Sequence, residues 1–178
     1  MSVEDLISPV ANQTSWTEKA YQNIYKMRSK ALMNMFVRQS TQHKHQHVAT
    51  IGGISFFDDA FALSPNATWF TFYQSTTSVI WILENLNTSS IDFTEQIDVI
   101  KDKVKQIVLI DDSNNNEVMI AQLKKVVNVV VVKDMHSAVE LAYHLAAKES
   151  SVIYSPSSGT IEQAQQRAEE FIQQVYSL

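Results

Sequence analysis

An α/β domain is what this sequence predicts: a mainly parallel sheet covered by helices on both faces, opened by a β-hairpin and preceded by a helical arm. Three observations predict it. Near-continuous apolar runs at residues 79–83, 107–110, 129–132 and 152–154 read as strands with little exposed surface. Segments of helical periodicity separate those runs, as crossover helices separate parallel strands. Gly52-Gly53 lies between two further strand runs, and a two-residue glycine turn is a strong hairpin signal. Right-handed crossovers make such a domain Rossmann-like.

Residues 1–13 are polar, and Thr14 or Ser15 caps a helix running from Trp16 to about Arg38. Its apolar stripe is Trp16, Ala20, Ile24, Met27, Ala31 and Met35, at helical spacing. Lys19, Lys26, Arg28, Lys30 and Arg38 make the rest of it basic. An aromatic and methionine stripe is packing surface by default. The arm is therefore expected to serve a homodimer or a protein partner, with Trp16 and Met27 as candidate interface residues. The division expected is an arm over 1–42 and a domain over 43–178.

In the body, 48–51 and 54–57 are the hairpin strands. Asp58-Asp59 ends the second of them. Ser64 caps a helix with Pro65 at its first position, and the helix runs over 66–74. The strand 79–83 follows, then a helix from Asp92 or Thr94 to about Val104, and the strand 107–110. Asp111 to Asn116 is a polar turn. A short helix over 117–126 leads to the strand 129–132, whose lack of alternation predicts burial on both faces. Asp134 or Ser137 caps a helix over 137–148; the strand 152–154 and a last helix over 160–176 complete the chain.

The 178 residues are 45% hydrophobic and contain no cysteine. Disulfides, thiolate metal sites and cysteine nucleophiles are thereby excluded, and a reducing cytoplasm is the expected location. No apolar run has the length of a membrane span, and no segment has the flanks of a signal peptide. Residues 1–44 carry six basic and three acidic side chains, whereas 45–178 carry eight and sixteen. Such an acidic body repels phosphate, so nucleic acid is not expected as a partner, and neither is a membrane.

Three constellations stand out. Asp58-Asp59 offers two carboxylates for a metal or for acid–base work, against the plainer reading of a polar strand end. His43, His45 and His47 alternate, which on a strand places all three on one side, either as a weak metal row or as a solvent-facing one. The hydroxyl-rich run Tyr154 to Thr160 lies where a parallel sheet ends. It reads as a small-anion site or as the cap of the last helix by Ser158 or Thr160. The three glycines, Gly52, Gly53 and Gly159, belong to no phosphate-loop fingerprint.

The stretch from His43 to Thr68 also resembles the opening of the Mur ligase C-terminal domain, most nearly in the branch that adds D-glutamate to UDP-N-acetylmuramoyl-alanine. His43-Lys44 matches the family's start, and Asp59, Ala62, Pro65 and Thr68 match its Asp-Ser-Lys-Ala-Thr-Asn-Pro loop and helix without a gap. The segment from Val152 to Thr160 is similar to the family's Leu-Ser-Pro-Ala-Cys-Ala-Ser. What the resemblance implies is a Rossmann-like fold and a ligand site built from His43, Asp59, Ser64, Ser155, Ser157 and Thr160. It also implies departures. Where the family's branch holds its incoming amino acid with two lysines, a threonine and a serine, this chain has Phe61, Leu63, Thr88 and Thr160. The positive charge that carboxylate recognition requires is gone at those positions. Phe61 and Leu63 become candidate interface residues instead.

The function expected is that of a degenerate, stand-alone relative of the Mur ligase C-terminal domain, a non-catalytic protein that binds a ligand or a partner. No catalytic residue, metal or cofactor is assigned. One alternative is a subunit of a split ATP-dependent D-glutamate ligase of peptidoglycan precursor synthesis, in which ATP and Mg²⁺ would come with the missing ligase domains. The other is an unrelated flavodoxin-like binding module.

Overall fold

The computed structural model describes residues 45–87, 91–111 and 116–178. His43, Trp16, Met27, Thr88 and most of the polar turn after Asp111 lie outside these, as does the expected arm. The body, Gln42–Leu178, is one compact unit.

Six strands form one sheet in the order β1-β2-β6-β3-β4-β5. They are β1 (Gln46–Ile51), β2 (Ile54–Asp58), β3 (Val79–Glu84), β4 (Val104–Ile110), β5 (Asn128–Val132) and β6 (Ser151–Tyr154). Only the β1–β2 pair is antiparallel; every other pairing is parallel. Gly52 and Gly53 close the hairpin with φ of +60° and +84°, a backbone that glycine adopts without strain. Among the described residues the helices are α1 (Pro65–Gln74), α2 (Ile97–Lys103), α3 (Glu117–Leu123), α4 (Met135–Leu145) and α5 (Ile161–Tyr176), with a 3₁₀ turn, Thr94–Gln96, leading into α2.

The caps follow local chemistry. Ser64 Oγ accepts the Ala67 N–H at 3.2 Å, with Pro65 at the first helical position. Asp134, rather than Ser137, caps α4 through the Ser137 N–H at 2.8 Å. Thr160, rather than Ser158, caps α5 in a reciprocal box with Gln163.

Two apolar layers enclose the sheet. On one face Ile54, Phe56, Ile80, Ile82, Val108 and Val152 pack under α4 and α5, which contribute Ala138, Ala142, Ala164, Ala168 and Phe171. The alanines let the helices approach the sheet closely. On the other face Trp81, Leu83, Ile107, Leu109 and Ile153 meet Phe72 of α1, Ile100 of α2, and Met119 and Leu123 of α3.

Two expectations fail here. β5 is the outermost strand, and Val131 is 41% exposed, so its unbroken valine run does not signify burial on both faces. β4 begins at Val104, three residues earlier than expected, because α2 ends at Lys103 and the chain enters the sheet with no loop between. The helix expected over 92–104 is correspondingly a 3₁₀ turn followed by two turns of α-helix.

Candidate functional site

The carboxyl ends of β2, β6 and β3 lie side by side, with Asp58 opposite Tyr154 and Tyr154 opposite Ile82. In an open parallel sheet this edge is where ligands bind. Here Ser155 and Ser157, from the loop after β6, are buried against Thr68 of α1. Thr68 Oγ1 lies 2.8 Å from Ser155 Oγ and 2.7 Å from Ser157 Oγ. Trp81 Nε1 donates to the Ser155 carbonyl at 2.9 Å, and the Ser155 N–H donates to Ile82 O at 3.1 Å. The loop is thus pinned to β3 on one side and α1 on the other.

One turn further along α1, the Thr71 hydroxyl donates to Asp59 Oδ2, while Asp59 Oδ1 accepts the His45 N–H at 3.0 Å. Asp58 Oδ1 accepts the Ala60 N–H at 3.0 Å, a local turn that reverses the chain out of β2. Both carboxylates are buried. Among the described residues no group of three histidine, aspartate or glutamate side chains is placed to hold a metal ion. The aspartate pair is a buried strand end tied to α1.

Beyond β3 the polar edge continues. Ser158 Oγ donates to Asn85 Oδ1 at 3.0 Å and accepts the Leu86 N–H at 2.9 Å. Asn85 Nδ2 donates to Asn116 Oδ1 at 2.8 Å. Beneath it, on the α5 face, Glu84 Oε2 accepts the Tyr154 hydroxyl at 2.9 Å and Glu84 Oε1 pairs with Arg167, whose other nitrogen holds Glu170. Burial pushes the Glu84 carboxyl above its ordinary range, against the pull of Arg167 and Tyr154. Burial also works against the Arg167 charge, but Glu84 and then Glu170 outweigh it and hold the guanidinium above its ordinary value. The Tyr154 phenol is raised by burial and by the neighbouring Glu84.

The structure brings Asp59, Ser155 and Ser157 to one edge, but as partners of α1 hydroxyls. Ser64 and Thr160 are exposed and serve as helix caps. Phe61 and Leu63 are half-buried and pack on the core under α4 and α5. Of the histidine row, His43 lies outside the described residues; β1 starts at Gln46, and His45 precedes it with φ +47°. His45 stacks on Phe57 at 4.7 Å, and His47 meets the same ring edge-on at 5.4 Å. Sequence reasoning missed Thr71 and Glu84. The available signal was Thr68 and Thr71, hydroxyls three apart on the helix face that also carries Phe72.

No family model matches the chain. It is 25% identical over 158 residues to UDP-N-acetylmuramoylalanine–D-glutamate ligase of Porphyromonas gingivalis, covering 83% of this chain and 34% of the ligase. It is 31% identical over 120 residues to the enzyme of the same name from Bacteroides thetaiotaomicron, covering 66% and 26%. The chain thus spans about a third or less of the length of the curated relatives it matches. Among solved structures it is similar to UDP-N-acetylmuramate-alanine ligase of Thermotoga maritima, with a TM-score of 0.52 at 12% identity over 76% of this chain and 30% of that one. It is also similar to folylpolyglutamate synthase of Mycobacterium tuberculosis, with a TM-score of 0.54 at 12% identity over 72% and 32%. These two structures share the fold, and the curated sequences share the descent: the chain is a relative of the C-terminal domain of the Mur ligases.

Proposed function

We propose that the domain keeps the Mur ligase C-terminal fold without its grip on an amino acid, and that it binds a partner or a small ligand without ligase chemistry. One observation carries this reading: the polar side chains at the carboxyl edge of the sheet are satisfied by one another. Thr68 engages Ser155 and Ser157, Thr71 engages Asp59, and Ser158 engages Asn85. A site that clamps a dicarboxylic amino acid needs cationic donors aimed at the ligand, and charge-assisted pairs supply most of its strength. The positions that correspond by resemblance to the family's loop lysine and threonine are Phe61 and Leu63, and both lean on the core. Arg167, the guanidinium nearest the edge residue Glu84, is committed to Glu84 and Glu170.

Calorimetry of the full chain with ATP·Mg²⁺ and, separately, with D-glutamate tests the proposal. The expected outcome is no binding heat for either at millimolar ligand. Micromolar binding of ATP, or saturable binding of D-glutamate, contradicts it and favours a subunit that completes a ligase with other chains.

A further inference from the structure

On the sheet face that α1 covers, between the end of α1 and the opening hairpin, lies a groove of about 400 Å³. That volume falls within the range of about 300–1,000 Å³ typical of small-molecule sites. Phe57 and His45 line one part, and the hydroxyls of Ser55, Ser75, Thr77 and Ser151 line another. The hydroxyls are held in place: Thr77 Oγ1 is 2.7 Å from Ser151 Oγ, Ser75 Oγ donates to Thr77 O at 3.1 Å, and Ser55 Oγ is 3.2 Å from Thr50 Oγ1.

His45 carries two costs at once. Its φ of +47° is in the left-handed region that side chains avoid, and its Nδ1 is buried without a hydrogen-bond partner. Its backbone N–H on Asp59 and its stack on Phe57 hold it there. Glu149, also lining the groove, has φ +66° and is fixed by its N–H donating to Gly53 O at 2.8 Å. Strained backbone gathers at ligand clamps more than elsewhere. Two of the three non-glycine residues with positive φ among those described line this groove.

The lining also selects the ligand. Among the described residues no lysine or arginine lines the groove, and Glu149 adds a negative charge. Anions are disfavoured there. Hydroxyl groups both donate and accept, so a row of them matches a ligand that does the same. The stacked His45 and Phe57 rings add an apolar wall beside them. We propose that the groove binds a neutral, polyhydroxylated ring of monosaccharide size, its hydroxyls met by the serine and threonine row and its apolar part set against the stacked His45–Phe57 pair. This site lies apart from the carboxyl-edge hydroxyls, so its occupancy does not depend on whether ligase chemistry persists.

The test is an NMR titration of the full chain with glucose, mannose and myo-inositol, with glucose 6-phosphate as the anionic comparison. Saturable shifts at Ser55, Phe57, Ser75, Thr77 and Ser151, together with a shift of the His45 ring resonances, are expected for at least one neutral compound. Thr76→Trp, placed at an exposed lining position where it fills the groove without touching the core, is expected to weaken binding by at least about tenfold. His45→Ala should weaken it as well. No saturable shift with any of the three neutral compounds, tighter binding of glucose 6-phosphate than of glucose, or unaltered binding by Thr76→Trp would each overturn the proposal.

Discussion

Glu84 is a buried carboxylate held by two distant partners. It ends an apolar strand, is buried, and is answered by Tyr154 and Arg167 from 70 and 83 residues away. Removing one partner of a buried pair leaves the other uncompensated, so Arg167→Met is expected to cost about 3–5 kcal/mol in chemical denaturation. The double variant Glu84→Gln/Arg167→Met should recover part of that loss. Glu84 also sets a pH dependence. Its folded-state value is raised, chiefly by burial, so its contribution is fully present below the ordinary glutamate range and is lost as pH rises through the raised value. Wild type should therefore lose stability relative to Glu84→Gln across that window, and denaturation midpoints measured at a series of pH values check it. None of this was legible in the sequence, because a glutamate closing the run Val79–Glu84 looks like a strand's polar exit. The caps at Ser64 and Thr160 were legible, since a cap needs only residues two or three positions away. The contact of Thr68 with Ser155 joins residues 87 apart and had no such local signature.

At the scale of elements, α5 depends on a well-formed start. Thr160 and Gln163 satisfy one another's backbone donors, and Thr160→Ala should lower stability by about 1 kcal/mol in urea denaturation. Just before it, Gly159 has φ +117°, and an added Cβ would lie 2.8 Å from the Leu86 Cβ. Gly159→Ala is therefore expected to cost about 1–3 kcal/mol, through strain and displacement of the loop after β3. A melting temperature equal to wild type would contradict the packing described here. Element types were legible where periodicity or turn chemistry was strong: the glycine hairpin, α1, α4 and α5. Boundaries and exposure were not. The valines of β5 satisfy strand preference whether the strand is central or at the edge, and position in the sheet decides which. Alternation of His45 and His47 presumes a strand; the strand begins one residue after His45, yet both rings meet Phe57.

For the whole molecule, alternating strands and helices announced a parallel, doubly covered sheet. What they did not announce is that the last strand inserts between the second and third. That insertion sets the Ser155–Ser158 loop against α1 on one side and Asn85 on the other, and so closes the carboxyl edge with its own hydroxyls. Residue-resolved NMR with D-glutamate tests this closure most directly. The prediction is that amides of residues 59–64 and 155–160 keep their positions up to millimolar D-glutamate. Saturable shifts confined to those two segments would contradict it and mean that the edge opens to hold the amino acid after all.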